Sequence, residues 1–256
     1  HGAFSANGHL LYTTENDFGG ARGVIGVRDA TDGYRWIGEF PSAGVGPHDL
    51  TLMPDDRTLV IANGGIETHP ATGRRKLNLA DMASNLTRID TRHGDVRQAR
   101  DVRDVAQKLS LRHLAPTPQG TVVFAAQYQG PRSSMPSLVG ILQADGNVTM
   151  IDMPKRLIQR MRGYVTSVAC DREGRHAVVT SARGNCCAIV DIAGRKVVTV
   201  YELPDASGIA VGRENAGFVA TSGTGHVVHV DRRADRLATR SQNEHNVLYD
   251  NHLARI

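Results

Sequence analysis

Four stretches of the sequence open on a side chain able to bind something polar and close on a turn residue. They are His1-Gly-Ala-Phe-Ser-Ala-Asn-Gly8, Asp49-Leu-Thr-Leu-Met-Pro-Asp-Asp56, His113-Leu-Ala-Pro-Thr-Pro-Gln-Gly120 and Ser167-Val-Ala-Cys-Asp-Arg-Glu-Gly174. His252 takes the same place in the final stretch, Asn251 to Ile256, and His48 stands one residue ahead of Asp49. Residues at one repeat position point the same way, so His1, Asp49, His113 and His252, with His48 nearby, are expected to converge. Several imidazoles beside a carboxylate suit Cu, Fe or Zn, because imidazole is the commonest ligand of such ions. The competing reading is that each histidine caps a strand end on a neighbouring backbone.

A second set follows the next apolar run of each repeat. It comprises Glu15 and Asp17, then Asn63, Glu67 and His69, then Gln127 and Tyr128, and finally Arg183. Placed in loops just after second strands, these carboxylates, amides, tyrosine and arginine would hold a small polar ligand, or an acidic group through Arg183 and Arg74 or Arg75. The bland alternative is that Asn and Gly shape turns while Glu and Arg are solvated. The sequence contains no nucleophile elbow, P-loop, H-E-x-x-H or EF-hand motif, so nothing supports a specific hydrolase or nucleotide chemistry.

The elements that must position these residues are short strands. Each opening stretch is followed by an apolar run, such as Leu10 to Thr14, Thr58 to Ala62, Thr121 to Ala125 or Ala177 to Thr180. A third run ends in Asp, as in Gly23 to Asp29, Cys187 to Asp191 and His226 to Asp231, and a tight turn leads to a fourth. Four antiparallel strands repeating at about 40 residues or more are the signature of β-propeller blades. The fold expected is therefore all-β, a β-propeller, with blades at 1–41, 46–105, 111–153, 164–203 and 206–240 and an inner strand at 251–256. On this plan the chain lacks an N-terminal blade and strands, and five blades are complete. Two stretches interrupt the period. Gly64 to Leu79 reads as an ordered loop, and Pro154 to Arg162 places Leu157, Ile158 and Met161 on one side of a short helix.

Composition bounds the partners. The 256 residues are 40% hydrophobic and carry a formal charge of +4, with basic and acidic side chains interleaved throughout. That pattern describes a solvated surface rather than a nucleic-acid face, and no run is long enough for a membrane span. Cys170, Cys186 and Cys187 lack zinc spacing and read as small buried hydrophobes in strands. Tyr12, Tyr128, Tyr164 and Trp36 fall on strands or their ends and read as packing between blades.

Six stretches carry a resemblance over essentially the whole chain. They are Leu11-Tyr-Thr-Thr-Glu-Asn-Asp17, Gly46-Pro-His-Asp-Leu50, Ala62-Asn-Gly-Gly-Ile-Glu-Thr-His-Pro70, Arg112-His-Leu114, Gln127-Tyr-Gln-Gly130 and Thr180-Ser-Ala-Arg-Gly184. In these the chain resembles the bacterial domain-of-unknown-function 1513 family, related to YVTN-type propellers. The resemblance implies a seven-bladed ring in the periplasm, associated with iron-handling proteins of the imelysin type, and supplies no catalytic residues. Function is accordingly expected to be non-catalytic binding or scaffolding, with a metal on the ring. The alternative is a lactonase-like hydrolase or metal-dependent oxidoreductase.

Overall fold

The computed structural model of the chain describes residues 1–212, 217–231, 248–250 and 252–253. Strands account for nearly all its regular structure, and they follow one another as consecutive antiparallel meanders. The first sheet holds β1 (Gly2–Phe4), β2 (Leu10–Asp17), β3 (Arg22–Asp29) and β4 (Arg35–Pro41) in chain order. The second holds β5 (Pro47–Leu52), β6 (Thr58–Asn63), β7 (Asn85–Asp90) and β8 (Asp95–Asp101). The third holds β9 (Leu109–Pro116), β10 (Val122–Tyr128), β11 (Val139–Leu142) and β12 (Val148–Met150). The fourth holds β13 (Ser167–Cys170), β14 (His176–Ser181), β15 (Cys186–Asp191) and β16 (Lys196–Glu202). In the fifth, β17 (Ala206–Val211), β18 (Gly217–Ser222) and β19 (Val227–Asp231) are described. This is the strand plan of propeller blades, one sheet per sequence repeat.

The outermost strand expected before residue 240 lies outside the described residues. So does most of the inner strand expected at 251–256. Its described members, His252 and Leu253, belong to no strand. Leu253 nevertheless lies against β17, because a Cβ added to Gly208 would come within 2.9 Å of its backbone nitrogen.

The repeat extends to irregularities of the pleat. In the first, second and fourth sheets the pairing of third and fourth strands slips one residue before the closing Asp, at Val27/Arg28, Arg88/Ile89 and Ile189/Val190. Each slip is a β-bulge that leaves one fourth-strand residue unpaired and increases the local twist. The extra residues are Ile37, Arg97 and Val198.

By contact density the chain divides into two compact units, 1–114 with 145–148 and 115–144 with 149–256. In the first, Tyr12, Ile25 and Val27 pack with Leu50, Leu59, Ile61 and Ile89, joining the first two sheets. In the second, Val178, Cys187 and Ile189 pack with Ile209, Phe218 and Val228, joining the last two. Full burial of each such aliphatic side chain contributes about 1.5–3 kcal/mol before the entropy cost of ordering it. The three cysteines are free and buried, as their strand positions imply.

Helix α1 (Lys155–Met161) falls where the apolar spacing places it and buries Leu157, Ile158 and Met161. It ends at Arg162 in the left-handed region, whose N–H caps the Gln159 carbonyl. Gly64 to Leu79 is a loop with one 3₁₀ turn, Pro70–Thr72. Among the described residues no helix is long and apolar enough to cross a membrane. One aromatic departs from the sequence reading: Trp36 is 54% exposed on β4 rather than packed between sheets. β4 is the last strand of its sheet, and Trp36 and the bulged Ile37 on it are both exposed.

Candidate functional site

Three imidazoles of the first unit meet from the start of β1, the start of β5 and the middle of β9. The ring centres of His1 and His48 stand 4.9 Å apart, those of His1 and His113 5.4 Å, and those of His48 and His113 5.1 Å. His1 comes from the residue before β1, His113 from the middle of β9, and His48 from β5. Adjacent residues of a regular strand point to opposite faces, so His48 and Asp49 could not ordinarily share a site. A bulge solves this, since the pairing of β5 with β6 runs from Pro47↔Asn63 directly to Asp49↔Ala62 and leaves His48 as the extra residue. The bend is prepared by Gly46, at φ +59°, where a Cβ would lie 2.7 Å from the Ile66 carbonyl oxygen.

Asp49 sits at the centre of the group. One carboxylate oxygen accepts the Leu50 N–H at 2.9 Å and lies 3.1 Å from His1 Nδ1. The other accepts the Leu114 N–H at 3.0 Å and faces His113 Nδ1 at 3.8 Å. His48 Nδ1 lies 2.9 Å from the Arg112 carbonyl, which can only accept, so this ring carries its proton on Nδ1. His1 and His48 thus hold Nδ1 within hydrogen-bond distance of an oxygen, while His113 Nδ1 stands farther from Asp49. A carboxylate or carbonyl oxygen at Nδ1 is how a metal-binding imidazole is held in one orientation. Of the three, His1 and His113 bring a ring nitrogen within 4.8 Å of each other. A ring bound through one nitrogen at about 2.0–2.1 Å has its centre about 3 Å from the ion, so two rings at a tetrahedral angle stand about 5 Å apart.

The other residues aligned with these lie in the second unit, Ser167 buried at the start of β13 and His252 exposed. The capping alternative holds in part, for His48 does bond a neighbouring backbone.

The polar residues of the second set do not act alike. Glu15 and Asp17 lie within β2 rather than in a loop after it, because pairing with β3 continues to Asp17↔Arg22. Asn63, Gln127 and Tyr128 likewise sit inside β6 and β10. Glu15 accepts from the Thr13 hydroxyl at 2.6 Å and from Arg28 at 2.7 Å. Partial burial opposes its charge, but these two donors outweigh that and hold its carboxyl below the usual range. Asn63 is fully buried and ties Ser42, Asn85 and Thr87 together through its amide nitrogen, so its role is structural. In the second unit Tyr128 hydroxyl lies 3.1 Å from Ser134 Oγ, and Arg183 stacks over Tyr164 at 4.3 Å.

Asp17, Glu67 and His69 do come together, around a cleft also lined by Phe18, Arg22 and Ile66. The Gly20 N–H and then Arg22 hold the Asp17 carboxyl below its ordinary range. The Gly64 to Leu79 loop is fixed here by Asn78, which accepts from the Glu67 N–H at 2.7 Å and donates to the Gly65 carbonyl at 2.9 Å. Phe18 and Arg22, missing from the sequence set, were hidden because nothing in their spacing relates the β2–β3 turn to that loop.

With the geometry in place, comparison with known proteins decides the family. Residues 1–256 match the family described as "Protein of unknown function (DUF1513)". The chain belongs to it. No curated protein matches this DUF1513 chain. Among solved structures it is similar to a functionally unknown protein from Desulfotomaculum acetoxidans DSM 771, with a TM-score of 0.64 at 12% identity over 98% of this chain and 71% of that one. At that identity the likeness shows a shared fold for the DUF1513 chain and nothing of its chemistry.

Proposed function

We propose that this protein is a non-catalytic binding propeller that holds a transition metal, Fe, Cu or Zn, through His1, His48 and His113. The observation that carries the reading is that the three ring centres stand 4.9–5.4 Å apart while His1 and His48 each hold Nδ1 within 3.1 Å of an oxygen and His1 and His113 bring ring nitrogens within 4.8 Å of each other. Asp49, nominated with the histidines as a ligand, serves here as the orienting carboxylate. Residence in the periplasm and association with iron-handling proteins of the imelysin type follow from the family resemblance and form part of the proposal.

A metal-dependent hydrolase or oxidoreductase is the second reading. It draws on the same three rings, since three protein ligands leave a position for water or substrate. Against it stands Asp49, whose two oxygens each already accept a backbone N–H, so the site holds no carboxylate with the freedom of a general base.

The test is elemental analysis and metal titration of the protein purified without a histidine tag. About one equivalent of Fe, Cu or Zn per chain is expected, and His113→Ala should abolish uptake. His113 is buried, so His48→Ala serves as a second variant, with circular dichroism confirming that each folds. Metal content unchanged in both folded variants would reject the site. Turnover of lactone or redox substrates by the loaded protein would move the reading to the enzyme.

A further inference from the structure

The cleft between the β2–β3 turn and the Gly64 to Leu79 loop takes no part in the metal reading, and its chemistry is different. Its charges do not cancel. Arg22 donates to Asp17 at 2.9 Å and to Glu39 at 2.7 Å, so its single positive charge is already shared between two carboxylates. The Glu67 carboxylate has no partner among the described residues, although its backbone N–H and carbonyl are both bonded within the loop. The cleft is thus net negative, with one uncommitted acceptor on a rigid backbone.

Its other wall is aromatic. Phe18 is 44% exposed, and the His69 ring meets it edge-on with centres 5.5 Å apart. His69 Nδ1 accepts the Ala71 N–H at 3.2 Å, which places the ring proton on Nε2 and leaves the imidazole neutral. A neutral ring adds no repulsion to an incoming cation. An exposed benzene ring beside a solitary carboxylate is the pairing that recognises organic cations, the ring face attracting the charge and the carboxylate bonding its N–H groups.

We propose that this cleft binds a small organic cation, an ammonium or guanidinium compound with a short apolar chain, through the Glu67 carboxylate and the Phe18 ring. The site is preformed, because Asn78 pins the loop on one side and the Asp17 carboxylate, bonded to the Gly20 N–H at 3.0 Å, shapes the turn on the other. Preorganisation of this kind removes the ordering cost that a mobile loop would charge against affinity. The proposal stands whether or not the histidine site takes a metal.

Calorimetric titration of the full chain with agmatine, using butanol as the uncharged control, tests it. Saturable one-to-one binding with a Kd on the order of 0.1–1 mM is expected for so small a ligand, with no binding of butanol. Glu67→Gln should weaken it about fivefold and Phe18→Ala about threefold to fivefold, losses in keeping with one partly exposed ion pair and one cation–π contact. Both side chains reach solvent, so the variants should keep the wild-type circular dichroism spectrum. No saturation by about 10 mM agmatine, roughly ten times the upper expected Kd, or an unchanged Kd in Glu67→Gln, would overturn the proposal.

Discussion

Asp49 and Asp90 are both carboxylates that gather cationic or basic side chains at a strand end of the first unit, and they do so to opposite effect. Asp90, at the end of β7, accepts from Arg57 at 2.6 and 2.9 Å, from Arg97 at 2.9 Å and from the Arg92 N–H at 3.0 Å. Its side chain is 3% exposed, while the three guanidiniums reach solvent. Arginine does not give up its proton and has no lone pair to offer, so this cluster can only hold the turn together. Asp49 gathers imidazoles, which keep a lone pair on the far nitrogen once Nδ1 is engaged. The same acidic residue thus makes a clamp in one place and a ligand set in the other, and the partner's chemistry decides which.

Four outcomes would sharpen or break that contrast. The largest concerns Asp49→Asn, which should cut metal affinity about 10- to 100-fold while the protein stays folded, because the amide no longer orients His1 and His113 by charge. An unchanged titration curve would show that the carboxylate positions nothing. Next, Asp90→Asn should lower the thermal midpoint by several degrees without touching metal uptake. The Arg57 guanidinium first, then the Arg92 N–H and Arg97, hold the Asp90 carboxyl far below the carboxylate range. A depressed native pKa stabilises at every pH above the unfolded value, about 3.9, and is lost only below it. The midpoint difference between wild type and variant should therefore stay constant from neutral pH down to about 5 and shrink below about 4. A difference that vanished near pH 6 would contradict the network.

A smaller drop is expected for Arg57→Lys, since an ammonium cannot reproduce the fork of Nε and NH2 on one oxygen. Differential scanning fluorimetry against Asp90→Asn would rank the two. The smallest effect is an absence of reaction. Burial raises the thiols of Cys170, Cys186 and Cys187, the last to about 12, so a thiol reagent at pH 8 should leave the folded chain unlabelled and modify three cysteines after denaturation.

The blade pattern was legible because turn residues and apolar runs recur in the sequence, and helix α1 because no turn residue interrupts its spacing. The meeting of His1, Asp49 and His113 followed from the same repeat. The role of Asp49 did not, for spacing relates positions and says nothing about which ring nitrogen faces an oxygen. His48 was expected beside them, but how it gets there was not legible, since a bulge reverses the side that alternation assigns to it, and no residue type marks that bulge. Asn63 shows the converse limit. Its place in a Gly-rich stretch reads as a turn or a ligand, whereas in the folded chain its amide is a buried strut between two sheets.

The outward position of Trp36 has a spectroscopic consequence. It is the only tryptophan in the chain, and its indole sits in water on the last strand of its sheet, over half exposed. The native emission should already be red-shifted, close to that of free indole in solution. Melting of the sheets would then pass almost unseen in tryptophan fluorescence, whereas the far-ultraviolet β signal, or the fluorescence of an added dye that binds apolar surface, would report it fully.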